Sequence, residues 1–166
     1  HMSVNSICFL LGVINSNTFI NSMYINQAYF IIDTLRCFID YRNFKMANEM
    51  ILHHFIIIYI INYVLSYKPE KFYNIVAMGY LTEVSTIPLN ISGIFDNIKK
   101  TDNNIYKISC ISTIGLFIPC RLINLPYIYI QLINYKKYKL VSIIVIFMII
   151  LNYYWFYKLV LKAKKH

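Results

Sequence analysis

Two adjacent histidines inside a stretch long enough to cross a bilayer constrain this chain more than any other feature. The run Glu49-Met-Ile-Leu-His53-His54-Phe55 lies within an apolar segment at residues 46–65. Ionisable groups at such depth are costly in hydrocarbon, and in membrane helices they mark functional sites by default. The bland reading is a satisfied polar pair that glues helices together. The functional reading is favoured because other apolar segments carry Asp33, Glu83 and Arg121, which can converge on the same place.

The composition agrees with a bilayer as solvent. Of 166 residues, 58% are hydrophobic and only 14% charged, with mean hydropathy +0.53. A soluble domain is nearer half apolar and about a quarter charged. The net charge of +9 sits in short loops and the tail, as the positive-inside rule requires. No basic stripe carries a nucleic-acid motif, so nucleic acid is excluded as a partner. The abundance of Ile, Asn, Lys, Tyr and Phe follows AT-rich codons, which lowers the weight of any single Asn or Tyr. His1-Met2 reads as an expression scar, and no cleavable signal peptide is evident. Cys8, Cys37, Cys110 and Cys120 show no metal or redox spacing and read as small, reduced packing residues.

Six apolar segments can be drawn, at residues 4–20, 24–39, 46–65, 72–95, 105–130 and 140–160. A span needs about 20 residues, so the shorter ones must be thin or locally bent. The runs are too long for barrel strands and lack their ten-residue alternation. The fold class expected is therefore all-α: a polytopic membrane protein of one domain, residues 4–164, with consecutive helices packed antiparallel. The loops at 40–45 and 96–107 fall on one side with the C-terminal tail. That side holds Arg42, Lys45, Lys99, Lys100, Lys107, Lys158, Lys162, Lys164 and Lys165. The other holds Lys68, Lys71, Lys136, Lys137 and Lys139. The excess predicts a cytosolic C-terminus, with Tyr153, Tyr154, Trp155 and Tyr157 as an aromatic belt beside it.

On a helix, Glu49 lies beneath His53 and Met50 beneath His54, because residues four apart share a face. Glu49 can fix the tautomer of His53 or stabilise its charged form. His53 is therefore the expected nucleophile or general base, with His54 as its alternate. Asp33 approaches from the same face at nearly equal depth; its alternative is an i, i+3 pair with Arg36. Arg121 lies between Pro119 and Pro126, and its alternative is a structural partner for Glu83 or for carbonyls the prolines release. Di-iron desaturase chemistry needs more histidines, and a bis-histidine haem needs ligands on facing helices. A zinc site from Glu49, His53 and Glu83 stays open as a minor alternative, and the reading carries no metal and no cofactor.

Five pieces in order resemble the TLC domain, the membrane domain that includes the ceramide synthases. Tyr29-Phe-Ile-Ile-Asp33 resembles Tyr-Phe-x-x-Asp, and His53-His54 the paired histidines. Leu81-Thr-Glu83-Val-Ser85-Thr-Ile-Pro88-Leu-Asn90 resembles Glu-x-Ser-x-Pro-x-x-Asn of the smaller TLC proteins. Arg121-Leu-Ile-Asn-Leu-Pro126 resembles Arg-Leu-x-x-x-Pro, and Leu151-Asn152-Tyr-Tyr-Trp155-Phe the closing Leu-Asn-x-x-Trp. The resemblance implies a six-helix ring around a lipid-sized cavity in the endoplasmic reticulum membrane. It further implies acyl transfer from long-chain acyl-CoA, as co-substrate, to a lipid amine or hydroxyl through an acyl-imidazole. Ceramide synthases do this on sphingoid amines. Glu49, Asp33 and Glu83 would join His53 and His54 as catalytic groups, and Arg121, Tyr29 and Asn90 would hold substrate. The partners implied are membrane lipids and acyl-CoA, with a homodimer left open. The chain departs from the ceramide synthases at Met46, after Lys45, and at Ile75, Val76 and Gly79, where they carry acidic or other polar residues. It thus resembles the smaller TLC proteins more closely. The missing acids favour a rival function: a non-enzymatic protein that binds, senses or traffics lipid.

Overall fold

The computed structural model describes residues 16–39, 41, 47–67, 70–135 and 138–163. It comprises two units, Ile7–Ala77 and Met78–His166. Every described element in both is a helix. The segment expected at 4–20 lies outside the described residues as far as residue 15. So do Cys8, the His1-Met2 leader, and Arg42, Lys45, Lys68, Lys136, Lys137, Lys164 and Lys165 of the expected topology.

In the first unit, α1 (Ser16–Ile39) packs against α2 (Ala47–Tyr67). Their polar contacts give the register. Gln27 donates to Asn62, Thr34 meets His54, and Tyr41 donates to Asn48. Partner numbers fall along α2 as they rise along α1, so the pair is antiparallel, as its short connection requires. Gln27 and Thr34 are seven residues apart on α1, two helical turns, which keeps them on one face. The buried stripe of α1 is Met23, Asn26, Phe30, Thr34 and Cys37; that of α2 includes Ala47, His54, Ile61 and Val64. Both seams therefore carry polar residues among apolar ones.

The second unit holds the end of α3 (Glu70–Leu81), a 3-10 turn at Thr82–Ser85, α4 (Thr86–Asn97), α5 (Asn104–Phe117), a π-turn at Ile118–Ile123, α6 (Asn124–Ile133) and α7 (Lys139–Ala163). The segment expected at 72–95 is thus two 12-residue helices with a tight turn between them. The tightening is local. Thr82 and Ser85 turn their hydroxyls back onto the carbonyls of Gly79 and Thr82, three residues earlier. Such bonds compete with the regular ladder. Pro88 then sits in the first turn of α4, where a missing N–H costs little. Pro119, which has no N–H to donate, opens the π-turn, and the Asn124 amide bonds the Pro119 carbonyl five residues back.

Helix α4 ends with Lys99 at φ 54°. The Lys99 amide bonds the Asp96 carbonyl, and the Lys100 amide bonds that of Phe95. This is a Schellman closure, with a lysine where glycine is the usual choice. Asn103 then caps α5, its side chain accepting from the Ile105 amide at 2.8 Å. Lys162, in the last turn of α7, pairs with Asp96 of α4. The 98–103 turn and the end of α7 therefore lie at the same end of this unit.

Among the described residues, three helical runs are long and apolar enough to cross a membrane: Ala47–Ser66, Asn104–Ile133 and Lys139–Ala163. At 1.5 Å per residue the 30 residues of the second reach about 45 Å, well beyond the ~30 Å of hydrocarbon. The expected segment at 24–39 forms a helix but carries Asp33 and Arg36 and follows a polar first turn at 16–18; the one at 72–95 is divided by its turn. Outward faces are apolar as well. Leu140, Ile143, Phe147 and Ile150 are exposed on α7, and Leu52 and Phe55 on α2. Surfaces of this kind belong in lipid. Tyr153, Tyr154 and Tyr157 are exposed near the end of α7, as an aromatic belt requires. Trp155 departs from that expectation: it is buried, turned inward over Arg121.

Candidate functional site: two intramembrane polar centres

The first centre lies in the α1–α2 pair. His53 and His54 are both buried, 5% and 2% exposed, with ring centroids 5.7 Å apart. His53 is six residues past Ala47, about 9 Å into the helix. His54 occupies the seam. Its ring lies against Phe30, 5.4 Å between centroids, and its two nitrogens face opposite partners. Nδ1 is 3.2 Å from Thr34 Oγ1 and Nε2 is 3.5 Å from Asp33 Oδ2. Thr34 in turn donates to the Phe30 carbonyl at 2.6 Å.

The structure thus brings Asp33 to His54. Glu49 stands one turn before His53 on α2 and is half-buried. Tyr29 is half-buried too, its ring edge-on to Phe30. Sequence reasoning missed Thr34; Cys37, expected as a reduced packing residue, is a buried thiol. Asp33, Cys37 and His54 each present a ligand atom within 4.8 Å of the other two. The signal was available: Asp33 and Cys37 are four apart, on one helical face.

The second centre surrounds Arg121 on the π-turn, 5% exposed. Its Nε donates to the Thr82 carbonyl at 3.1 Å and to Ser85 Oγ at 2.7 Å. Nη1 donates to Asn152 Oδ1 at 2.9 Å, and Nη2 to Thr86 Oγ1 at 2.8 Å. The guanidinium also lies over the rings of Phe117 and Trp155, at 5.1 and 5.8 Å from the centroids. Thr86 passes its own proton to Glu83 Oε2 at 3.1 Å, so the hydroxyl links cation to carboxylate. Asn152 donates to the Met148 carbonyl, and Asn124 to that of Met78. The roles of Asn152, Thr86 and Asn124 were not legible from spacing. Asn90, expected at the substrate, is an exposed residue of α4.

Apolar-faced helices long enough to span a bilayer, with ionisable groups held inside them, define an integral membrane protein with buried polar centres. The family model of the TLC domain matches residues 12–161, and the chain belongs to the TLC-domain family. No curated protein and no solved structure matches the chain. Membership points to lipid-related function at the membrane.

Proposed function

We propose that this protein is a lipid acyltransferase that moves a fatty acyl group from acyl-CoA to a lipid amine or hydroxyl through His53. The observation that carries the reading is a buried histidine pair about two turns inside a membrane-spanning helix. An imidazole nitrogen attacks the thioester carbonyl, the C–S bond breaks, and the thiolate leaves and takes up a proton. The acceptor then attacks the acyl-imidazole, the C–N bond to the ring breaks, and the acceptor's proton passes to a base. Imidazole suits both halves because it attacks well and leaves well. In this reading Glu49 orients His53, and Asp33 and Glu83 stand near the acceptor. The helices form a six-membered ring around a lipid-sized cavity in the endoplasmic reticulum, with the C-terminus cytosolic. The shared end of the 98–103 turn and α7 supports that topology, since Lys99, Lys100, Lys158 and Lys162 gather there.

Ile75, Val76 and Gly79, in place of acidic and other polar residues, favour a second reading, a lipid-binding or trafficking scaffold. Intact-protein mass spectrometry after incubation with long-chain acyl-CoA separates the two. The enzyme gains one acyl mass, and His53→Ala abolishes it. Glu49→Gln slows turnover by roughly 10²–10⁴-fold, the usual worth of proton-transfer assistance. An adduct and lipid products unchanged in the His53→Ala, His54→Ala double variant would end the enzyme reading.

A further inference from the structure

We propose that Asp33, Cys37 and His54 form a binding site for one divalent metal ion of zinc's borderline character. The argument begins with the proton on His54. Thr34 has a single hydroxyl proton, and its short 2.6 Å bond commits that proton to the Phe30 carbonyl. Toward His54 Nδ1, at 3.2 Å, the hydroxyl can only accept, so Nδ1 carries the ring proton. In a neutral imidazole Nε2 then holds a bare lone pair, aimed at the Asp33 carboxylate. Two lone pairs facing each other in a buried seam repel. Either a proton or a cation must stand between them.

The distance favours the cation. A charge-assisted N–H···O bond closes to about 2.7–2.9 Å, whereas Nε2 and Oδ2 are 3.5 Å apart. With Zn–N and Zn–O near 2.0–2.2 Å, two ligands across a tetrahedral angle lie about 3.3–3.5 Å apart. The observed gap is the edge of such a tetrahedron. The Cys37 sulfur completes a face: all three ligand atoms lie within 4.8 Å of one another. A tetrahedral edge from sulfur is about 3.6 Å, so the thiol closes by about 1.2 Å at most, a side-chain rotation.

The donor set and its surroundings point the same way. One thiolate, one imidazole and one carboxylate suit zinc-like ions; calcium and magnesium take oxygen ligands. A metal-bound histidine characteristically donates its other ring N–H to an oxygen that fixes the tautomer. The chain His54 Nδ1–H to Thr34 to the Phe30 carbonyl is that arrangement. Three protein ligands leave a fourth position for an exchangeable group. The site draws two ligands from α1 and one from α2, and it leaves His53 outside the ligand set. It stands whether or not the acyl-transfer reading does.

The test uses the full chain in detergent, freed of any affinity tag and stripped with chelator, titrated with Co²⁺ as a spectroscopic stand-in for Zn²⁺. The expected result is one equivalent of Co²⁺ with a thiolate-to-cobalt charge-transfer band. Cys37→Ser loses the band and at least tenfold in affinity, while Cys110→Ser keeps both. Thr34→Val, which removes the acceptor for Nδ1–H together with its bond to the Phe30 carbonyl and leaves all three ligands, weakens binding by roughly 10–100-fold, the usual worth of an outer partner. A second measurement needs no variant: Zn²⁺ should protect Cys37 from alkylation in the wild-type chain, read by peptide mass spectrometry. Absence of a stoichiometric band, a band that survives Cys37→Ser, or alkylation of Cys37 unaffected by Zn²⁺ would overturn the proposal. Asp33 and His54 would then be an ion pair held by a proton.

Discussion

The two polar centres solve the same physical problem differently. Arg121 carries a full charge into a buried place, and every face of its guanidinium is met: a carbonyl, two hydroxyls, an amide oxygen and two aromatic rings. His54 sits in an equally buried seam, where its contact with Asp33 is longer, at 3.5 Å. Asn26, on the same seam and fully buried, has neither amide atom hydrogen-bonded among the described residues. The Arg121 centre is a brace met from several sides; the α1–α2 seam buries an amide that makes no hydrogen bond among the described residues. A buried network that is complete rigidifies its surroundings, and one that is incomplete carries a cost best explained by function.

The strongest challenge to this contrast is Arg121→Leu. It strands the Thr82 carbonyl, Ser85, Thr86 and Asn152 at once, and breaking such a network costs about 3–5 kcal/mol. The variant should unfold at much lower temperature in a detergent melt. Arg121→Lys should recover little, because an ammonium cannot reproduce the planar fork. Wild-type melting of Arg121→Leu would show that the brace is not structural. Asn152→Ala tests one arm alone. It should cost about 1–3 kcal/mol, the penalty of one buried partner left unsatisfied. A cost below the noise of the melt would mean that the Nη1 bond is dispensable.

The Asn26 amide should respond in the opposite sense. Asn26→Leu replaces an unbonded buried amide with hydrocarbon of similar size, so it should stabilise the α1–α2 pair by about 1 kcal/mol. Destabilisation by the same amount would show that the amide has a partner in the working protein. The smallest effect lies outside both centres. Lys99→Gly relieves a left-handed residue at the end of α4 and should stabilise by about 0.5–1 kcal/mol. A lower melting temperature for that variant would argue that the lysine charge outweighs its backbone strain.

How much of this was legible depends on how far apart in sequence the partners lie. Helix positions followed from apolar runs, and the membrane class from their length and the scarcity of charge. The histidine pair stood out because two ionisable residues break a hydrophobic run at a glance. The brace did not, because Arg121 finds its partners 31 to 39 residues away, and no spacing rule reaches that far. Nor did sequence reveal that 72–95 is two helices, since the turn depends on hydroxyls folding back onto their own carbonyls. Trp155 was misplaced because a tryptophan near the end of a span fits an interfacial belt and a cap over a buried cation equally well by sequence alone. The approach of His54 to Asp33 and Cys37 was not legible, because it joins two helices.

The Arg121 brace also imposes an order of assembly. Thr82, Ser85 and Thr86 leave the ribosome before Arg121, so three of its acceptor groups are waiting when it emerges. Asn152 follows 31 residues later, on α7. Until α7 is made, one arm of a buried cation has no acceptor, and the second unit cannot lock. Completion of the brace therefore waits on synthesis through residue 152 of α7. A nascent protein truncated before residue 152 would carry an unsatisfied guanidinium in the bilayer, the kind of feature by which quality-control machinery distinguishes an unfinished membrane protein from a finished one.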